Sequence, residues 1–173
     1  MIVIRQDQIK VFEKTVLDAF VVETAEHCRE FSPHLCKTLS EDQLHAAIRE
    51  GIGRAEKYDF SQRGPTRFYV EMMILFGSGF DTDPQYPWAG EILSKKDELS
   101  EMQRAEELYA RTQAHLAKVN GQDNVYMLKA LDDLAKLCRQ GVEFRRESLE
   151  PDILRLMKET HPRKFEETGE TRL

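Results

Sequence analysis

Apolar side chains recur at intervals of three and four along almost the whole of this 173-residue chain, and no two segments alternate in a way that would let strands pair. That periodicity constrains the fold more than any motif does. A lone strand has nothing to ladder with, so the apolar stripes must be buried helix against helix. The expected architecture is all-α, a compact helical bundle of about five to seven helices with one ordered loop rich in aromatic residues and proline.

Ile9, Phe12, Val16 and Phe20 share one helical stripe and predict a first helix over Arg5–Glu30, ended by Ser32-Pro33. Ser40 followed by Gln43 is a capping-box signature, and Leu44, Ile48, Ile52 and Ala55 carry a second helix to about Tyr58. Gly51 and Gly53 inside it each cost about 1 kcal/mol relative to alanine, which points to close helix packing. Pro65 suits the first turn of a third helix, and Arg67–Phe76 follows with little polar interruption. A strand over Phe68–Phe76 would fit the residue types but lacks a partner, and Gly77 is the expected left-handed terminator. Trp88–Leu93 predicts a short helix. Glu98–Val119, ended by Asn120-Gly121, and the stripe Met127, Leu128, Leu131, Leu134, Leu137 and Cys138, capped by Asn124 and stopped at Gly141, predict an antiparallel hairpin. Ser148 and Pro151 open a last helix to about Thr160, and the polar residues from Pro162 onward are expected to be disordered.

Composition shifts near residue 94. Residues 1–94 hold 11 of the 15 aromatics and 15 acidic against 10 basic side chains, whereas 95–173 hold 16 against 15. The expected organisation is an aromatic-rich core over 1–94, a hairpin plus final helix over 95–161 packed on it, and a tail over 162–173. The net charge of −6 argues against a partner bound through phosphates, so no nucleic acid is expected. Arg49, Arg54, Arg63 and Arg67, with the pairs Lys95-Lys96 and Arg145-Arg146, read as solvated or ion-paired charges. The longest apolar run, Met72–Phe76, is far short of the roughly 20 residues of a membrane span. The amino terminus lacks the plan of a signal peptide, so no membrane contact and a cytoplasmic location are expected. Cys28, Cys36 and Cys138 read as small buried hydrophobes, and five scattered histidines suggest no metal motif.

The segment Gly77–Trp88 carries the candidate site. Asp81 and Asp83 alternate as in oxygen-ligand loops for divalent cations, but the third acidic position, the glycine and the distal glutamate of an EF-hand are missing. They therefore read as loop-structuring residues, folding the segment through Asx turns and helix caps together with Gly77, Pro84 and Pro87, with no metal and no cofactor. Phe80 and Trp88 read as lids on the helical core that also offer contact area, and Tyr86, between Gln85 and Pro87, as the outward contact. With Arg67 these three form the expected protein-binding set. No nucleophile elbow, phosphate-binding loop or cysteine–histidine signature is present, and no spacing pairs Glu56, Glu71 or Glu91 with a loop aspartate. The expectation is a non-enzyme; a small hydrolase using Asp81 or Asp83 is the catalytic alternative.

Gly51-Ile52, Arg54-Ala55 and Tyr58, followed by Arg67-Phe68-Tyr69, Glu71-Met72-Met73, Leu75-Phe76-Gly77, Gly79-Phe80-Asp81-Thr82-Asp83-Pro84, Pro87-Trp88-Ala89 and Glu91-Ile92-Leu93, form a recognisable block. It resembles small bacterial proteins encoded in type VI secretion loci beside PAAR-repeat spike and effector genes, over about residues 1–94. The resemblance implies a cytoplasmic accessory protein, a chaperone, co-chaperone or adaptor that binds an effector or its partner adaptor for loading. An immunity protein that neutralises a cognate toxin is the alternative within the same setting, and the oligomeric state is left open, a homodimer included. The acidity of residues 1–94 favours a basic protein partner.

Overall fold

The computed structural model describes residues 5–141 and 146–169, and all regular structure among them is helical. The helices are α1 (Gln6–Phe31), α2 (Pro33–Cys36), α3 (Glu41–Ala55), α4 (Arg63–Phe76), α5 (Pro87–Leu93), α6 (Glu101–Asn120), α7 (Val125–Gln140), α8 (Leu149–Thr160) and α9 (Pro162–Thr168). Single 3-10 turns occur at Glu56–Tyr58, Gln122–Asn124 and Arg146–Ser148. These segments outnumber the five to seven expected because α2 and α9, of four and seven residues, are too short to show a period. Among the described residues, no helix is long and apolar enough to cross a membrane.

The local signals explain most boundaries. The Ser40 hydroxyl accepts from the Gln43 N–H at 3.2 Å while the Gln43 side chain accepts from the Ser40 N–H at 2.8 Å, so the α3 capping box is closed on both sides. Segment 63–76 is helix, not strand, and Gly77 ends it with φ +99° and ψ 159°, a positive-φ extended conformation rather than the left-handed helical one expected. Asn124 occupies the left-handed region at φ +59° without a side-chain cap, contrary to its expected role. The polar segment expected to be disordered contains α9: Pro162 sits at the first helical position, and His161 Nδ1 accepts from the Lys164 N–H. Arg145 of the expected basic pair and residues 170–173 lie outside the described residues.

The chain divides into two compact units, one made of Met1–Thr82 with Ala89–Glu106 and the other of Asp83–Trp88 with Glu107–Leu173. The units part within α6, beyond the shift in composition near residue 94, because the first turn of α6 is tied to the first unit. The Glu101 carboxylate accepts from the N–H groups of Ser61 and Gln62 at 2.7 and 3.0 Å. Arg104, 2 % exposed, donates from Nη1 to the carbonyls of Tyr58 and Leu93 at 2.6 and 2.8 Å and lies 4.8 Å over the Phe60 ring. Those carbonyls belong to the last residues of a 3-10 turn and of α5, where helix ends present negative partial charge to a cation.

The core of the first unit lies where α1, α3 and α4 meet. Phe20, Val21, Ala25 and Cys28 of α1 pack with Leu44, Ile48 and Ile52 of α3, Val70 of α4 and Cys36 of α2. Gly51 permits that approach: a Cβ there would come within 2.9 Å of Val70 and 3.0 Å of the Met73 sulfur. Gly53 has open space around it, so the close-packing explanation holds for one of the two glycines. Cys28 and Cys36 are buried as expected, and burial, reinforced by Cys36 and Glu71, pushes the Cys28 thiol up to about 12. Cys138 is exposed, against expectation, because it faces outward on α7.

Candidate functional site

The expected binding loop turns inward. Phe80, in the first unit, is 1 % exposed, with its ring centroid 5.0 Å from that of Tyr69, which stands 6.4 Å from Phe60 and 6.0 Å from Tyr58. Asp81 is the polar centre of this aromatic group. Its carboxylate accepts from Arg54 Nη2 at 2.6 Å, the Tyr69 hydroxyl at 2.8 Å and the Tyr58 hydroxyl at 3.0 Å. Burial, then the charge and hydrogen bond of Asp81, push Tyr58 up to about 12, and burial with the same carboxylate pushes Tyr69 higher still. Both tyrosines thus stay protonated donors, and Asp81 locks the loop to α3 and α4. Gly90 lets α5 sit against the same loop, since a Cβ there would come within 2.7 Å of the Asp81 carbonyl oxygen.

In the second unit, Asp83 makes the expected Asx turn, accepting from the Gln85 N–H at 2.8 Å, with Pro84 between them. Pro87 opens α5. Tyr86 and Trp88 are buried, at 6 and 8 % exposure, in a cluster with His115 whose ring centroids lie 5.5 Å from Tyr86 and 5.9 Å from Trp88. Tyr86 is therefore not the outward contact expected of it; its ring area is spent on packing within its own unit. Burial also pulls the His115 imidazole below its ordinary pKa. Arg67, the remaining member of the expected binding set, pairs with Glu23 of α1 at 3.7 Å and Glu71 of α4 at 3.6 Å. Among the described residues no group of three or more side chains is arranged to hold a metal ion.

The surface that the loop does not supply is found along α1. At about 1.5 Å per residue this 26-residue helix is roughly 39 Å long, while the 15-residue α3 is about 22 Å, so one end of α1 overhangs its packing partners. Every residue from Arg5 to Leu17 is exposed, and Ile9, Phe12 and Val16 of the predicted core stripe are 44, 74 and 49 % exposed; only Phe20 reaches the core. A groove of about 940 Å³ opens between this overhang and the α3–α4 junction. Ile9, Phe12, Val16 and Leu17 form one wall, Ile52 and Phe60 the other, and Phe20 lines it under the Arg63 guanidinium 4.8 Å above its ring.

The charges on the rim are Glu13, Glu56 and Arg63. Arg63 pairs with Glu23, whereas Glu13 and Glu56 are exposed and make no ion pair among the described residues. An apolar trough with an uncompensated acidic edge suits an amphipathic helix flanked by lysine or arginine, and repels the carboxylate of a fatty acid. From Ile9 to Phe20 the groove runs roughly 16 Å, three turns of a docked helix. Periodicity found these α1 residues but assigned them to the core. The signal that would have corrected it is the length of the first helix against the two that follow. No protein-family model, no curated protein and no solved structure matches the chain.

Proposed function

We propose that this chain is a non-catalytic accessory protein, a chaperone or adaptor that holds a protein partner by taking one of its helices into the α1 groove. The observation that carries the reading is the groove itself: four large apolar residues on an exposed helical overhang, Ile9, Phe12, Val16 and Leu17, beside a preformed apolar wall. Apolar surface gathered in this way, on a short stretch of helix that is only marginally stable alone, marks a contact site rather than idle surface. The unpaired Glu13 and Glu56, in a unit with 18 acidic against 13 basic side chains, select a basic helix. The resemblance to proteins of type VI secretion loci supplies the class of partner, a secretion effector or its adaptor, met in the cytoplasm before loading.

Co-expression with the products of neighbouring genes, followed by purification through a tag on this chain, tests the reading. The expected result is a stoichiometric complex that Val16→Asp abolishes while leaving the helical content unchanged. Phe12→Ala should weaken it by about 1–3 kcal/mol. Recovery of this chain without a second polypeptide, or a complex indifferent to Val16→Asp, overturns the assignment. The acidic rim would also suit an immunity protein, and rescue of toxin-expressing cells separates the two, since a loading factor leaves the toxin lethal.

A further inference from the structure

The two ends of the α1 groove are unlike, and the directions of the helices around it decide which charge sits where. Ion pairs Asp18–Arg49 at 2.9 Å and Arg29–Glu41 at 3.5 Å set α3 antiparallel to α1, so Glu56 and the carboxyl end of α3 lie beside the exposed stretch that carries Glu13. The contacts Glu23–Arg63 and, at 2.8 Å, His27–Glu71 set α4 parallel to α1, so α4 begins at the inner end, just past Phe20. The outer half is therefore negative: two exposed carboxylates without ion pairs among the described residues are joined by the partial charge of a helix C-terminus. Lys10 and Lys14 of the same stretch do not line the groove. The inner end is made of donors. Because α4 runs away from the overhang, the N–H groups of its first turn point back towards it, and those of Arg63 and Gly64 have no acceptor among the described residues. Thr66, 4 % exposed, lines the groove, and its hydroxyl has no hydrogen-bond partner among the described residues. Arg63 gives one terminal nitrogen to Glu23 and keeps its other N–H groups to offer.

We infer that the guest helix lies parallel to α1, with its basic first turn against Glu13 and Glu56 and the carboxylates of its last turn on Arg63 and Thr66. The inference rests on the proposed function and adds to it the direction and charge pattern of the guest. The reverse orientation would set the negative end of the guest against two carboxylates, and would face the donors at Arg63 and Thr66 with a helix N-terminus, which offers N–H groups and no acceptor. Lysine or arginine in a first turn and aspartate or glutamate in a last turn both oppose the macrodipole. A segment so charged is a poor helix in water and gains its order in the groove.

Two end-blocked peptides of equal composition test it, by fluorescence anisotropy with the full chain at low salt. Both carry leucines spaced three and four apart; one has lysines in its first turn and glutamates in its last, and its twin has them exchanged. The twin is the better helix when free, so tighter binding of the lysine-first peptide reports the groove and not preorganisation. The lysine-first peptide should bind about fivefold tighter or more, Glu13→Lys with Glu56→Lys should reverse the preference, and Arg63→Gln should reduce it. A nitroxide on the amino end of that peptide should broaden the amide signals of residues 9–13, and one on its carboxyl end those of residues 63–66. Binding by neither peptide, or binding indifferent to Val16→Asp, overturns the groove as a helix site and the proposed function with it. Equal affinities, a tighter twin, a preference unchanged by the charge variants, or broadening at the opposite ends overturns the direction alone.

Discussion

Removing the Asp81 carboxylate should cost about 1–5 kcal/mol, and the structure says how that cost divides. In Asp81→Ala three donors lose their acceptor. Tyr69 is fully buried, so its hydroxyl cannot turn to water and bears the desolvation penalty of an unmade bond, about 1–3 kcal/mol. Tyr58 and Arg54 are partly exposed; each can be rehydrated and should contribute about 1 kcal/mol or less. The sum is a large share of the roughly 5–15 kcal/mol by which a domain of this size is stable. Urea unfolding followed by circular dichroism measures it, and double-mutant cycles apportion it. Asp81 and Tyr69, cycled through Tyr69→Phe, should couple by about 2 kcal/mol, and Asp81 and Tyr58, through Tyr58→Phe, by less than half as much. Equal couplings, or a cost of Asp81→Ala under about 1 kcal/mol, would refute the view that a buried carboxylate holds the loop.

Gly90 and Gly53 should respond oppositely to alanine. Gly90→Ala drives a Cβ into the Asp81 carbonyl and should cost about 2 kcal/mol or more, while Gly53→Ala, in open space within α3, should stabilise by up to about 1 kcal/mol; thermal melts of both variants decide it. Arg104→Ala strands the buried Leu93 carbonyl and the half-buried Tyr58 carbonyl and uncovers Phe60, a loss of about 2–4 kcal/mol by urea titration, and Arg104→Met should recover less than half of it because the carbonyls stay unpaired. Tyr58 binds its proton more tightly folded than unfolded, its pKa pushed up to about 12 from 10, so its contribution is intact below pH 10 and lost as pH rises towards 12. The denaturation midpoint should fall across that interval, less steeply in Tyr58→Phe.

The sequence alone determined the helical class, because an unbroken three-and-four spacing leaves no strand pair to form. It also determined the ends that local chemistry dictates, such as the Ser40–Gln43 box, the breaks at Ser32-Pro33 and Gly141, and the Asx turn at Asp83. What it could not determine is which side of an apolar residue meets water. Ile9, Phe12 and Val16 share a stripe with Phe20, yet only Phe20 is covered, since burial depends on how far the neighbouring helices extend and α1 outruns them. The same reason inverted the loop. Phe80, Tyr86 and Trp88 have the residue types of contact anchors, but Asp81 found three donors contributed by distant turns of chain, Arg54, Tyr58 and Tyr69, and closed the segment inward. Periodicity and capping act within a few residues and are written in order along the chain; exposure is a property of what arrives from elsewhere, and only the tertiary structure decides it.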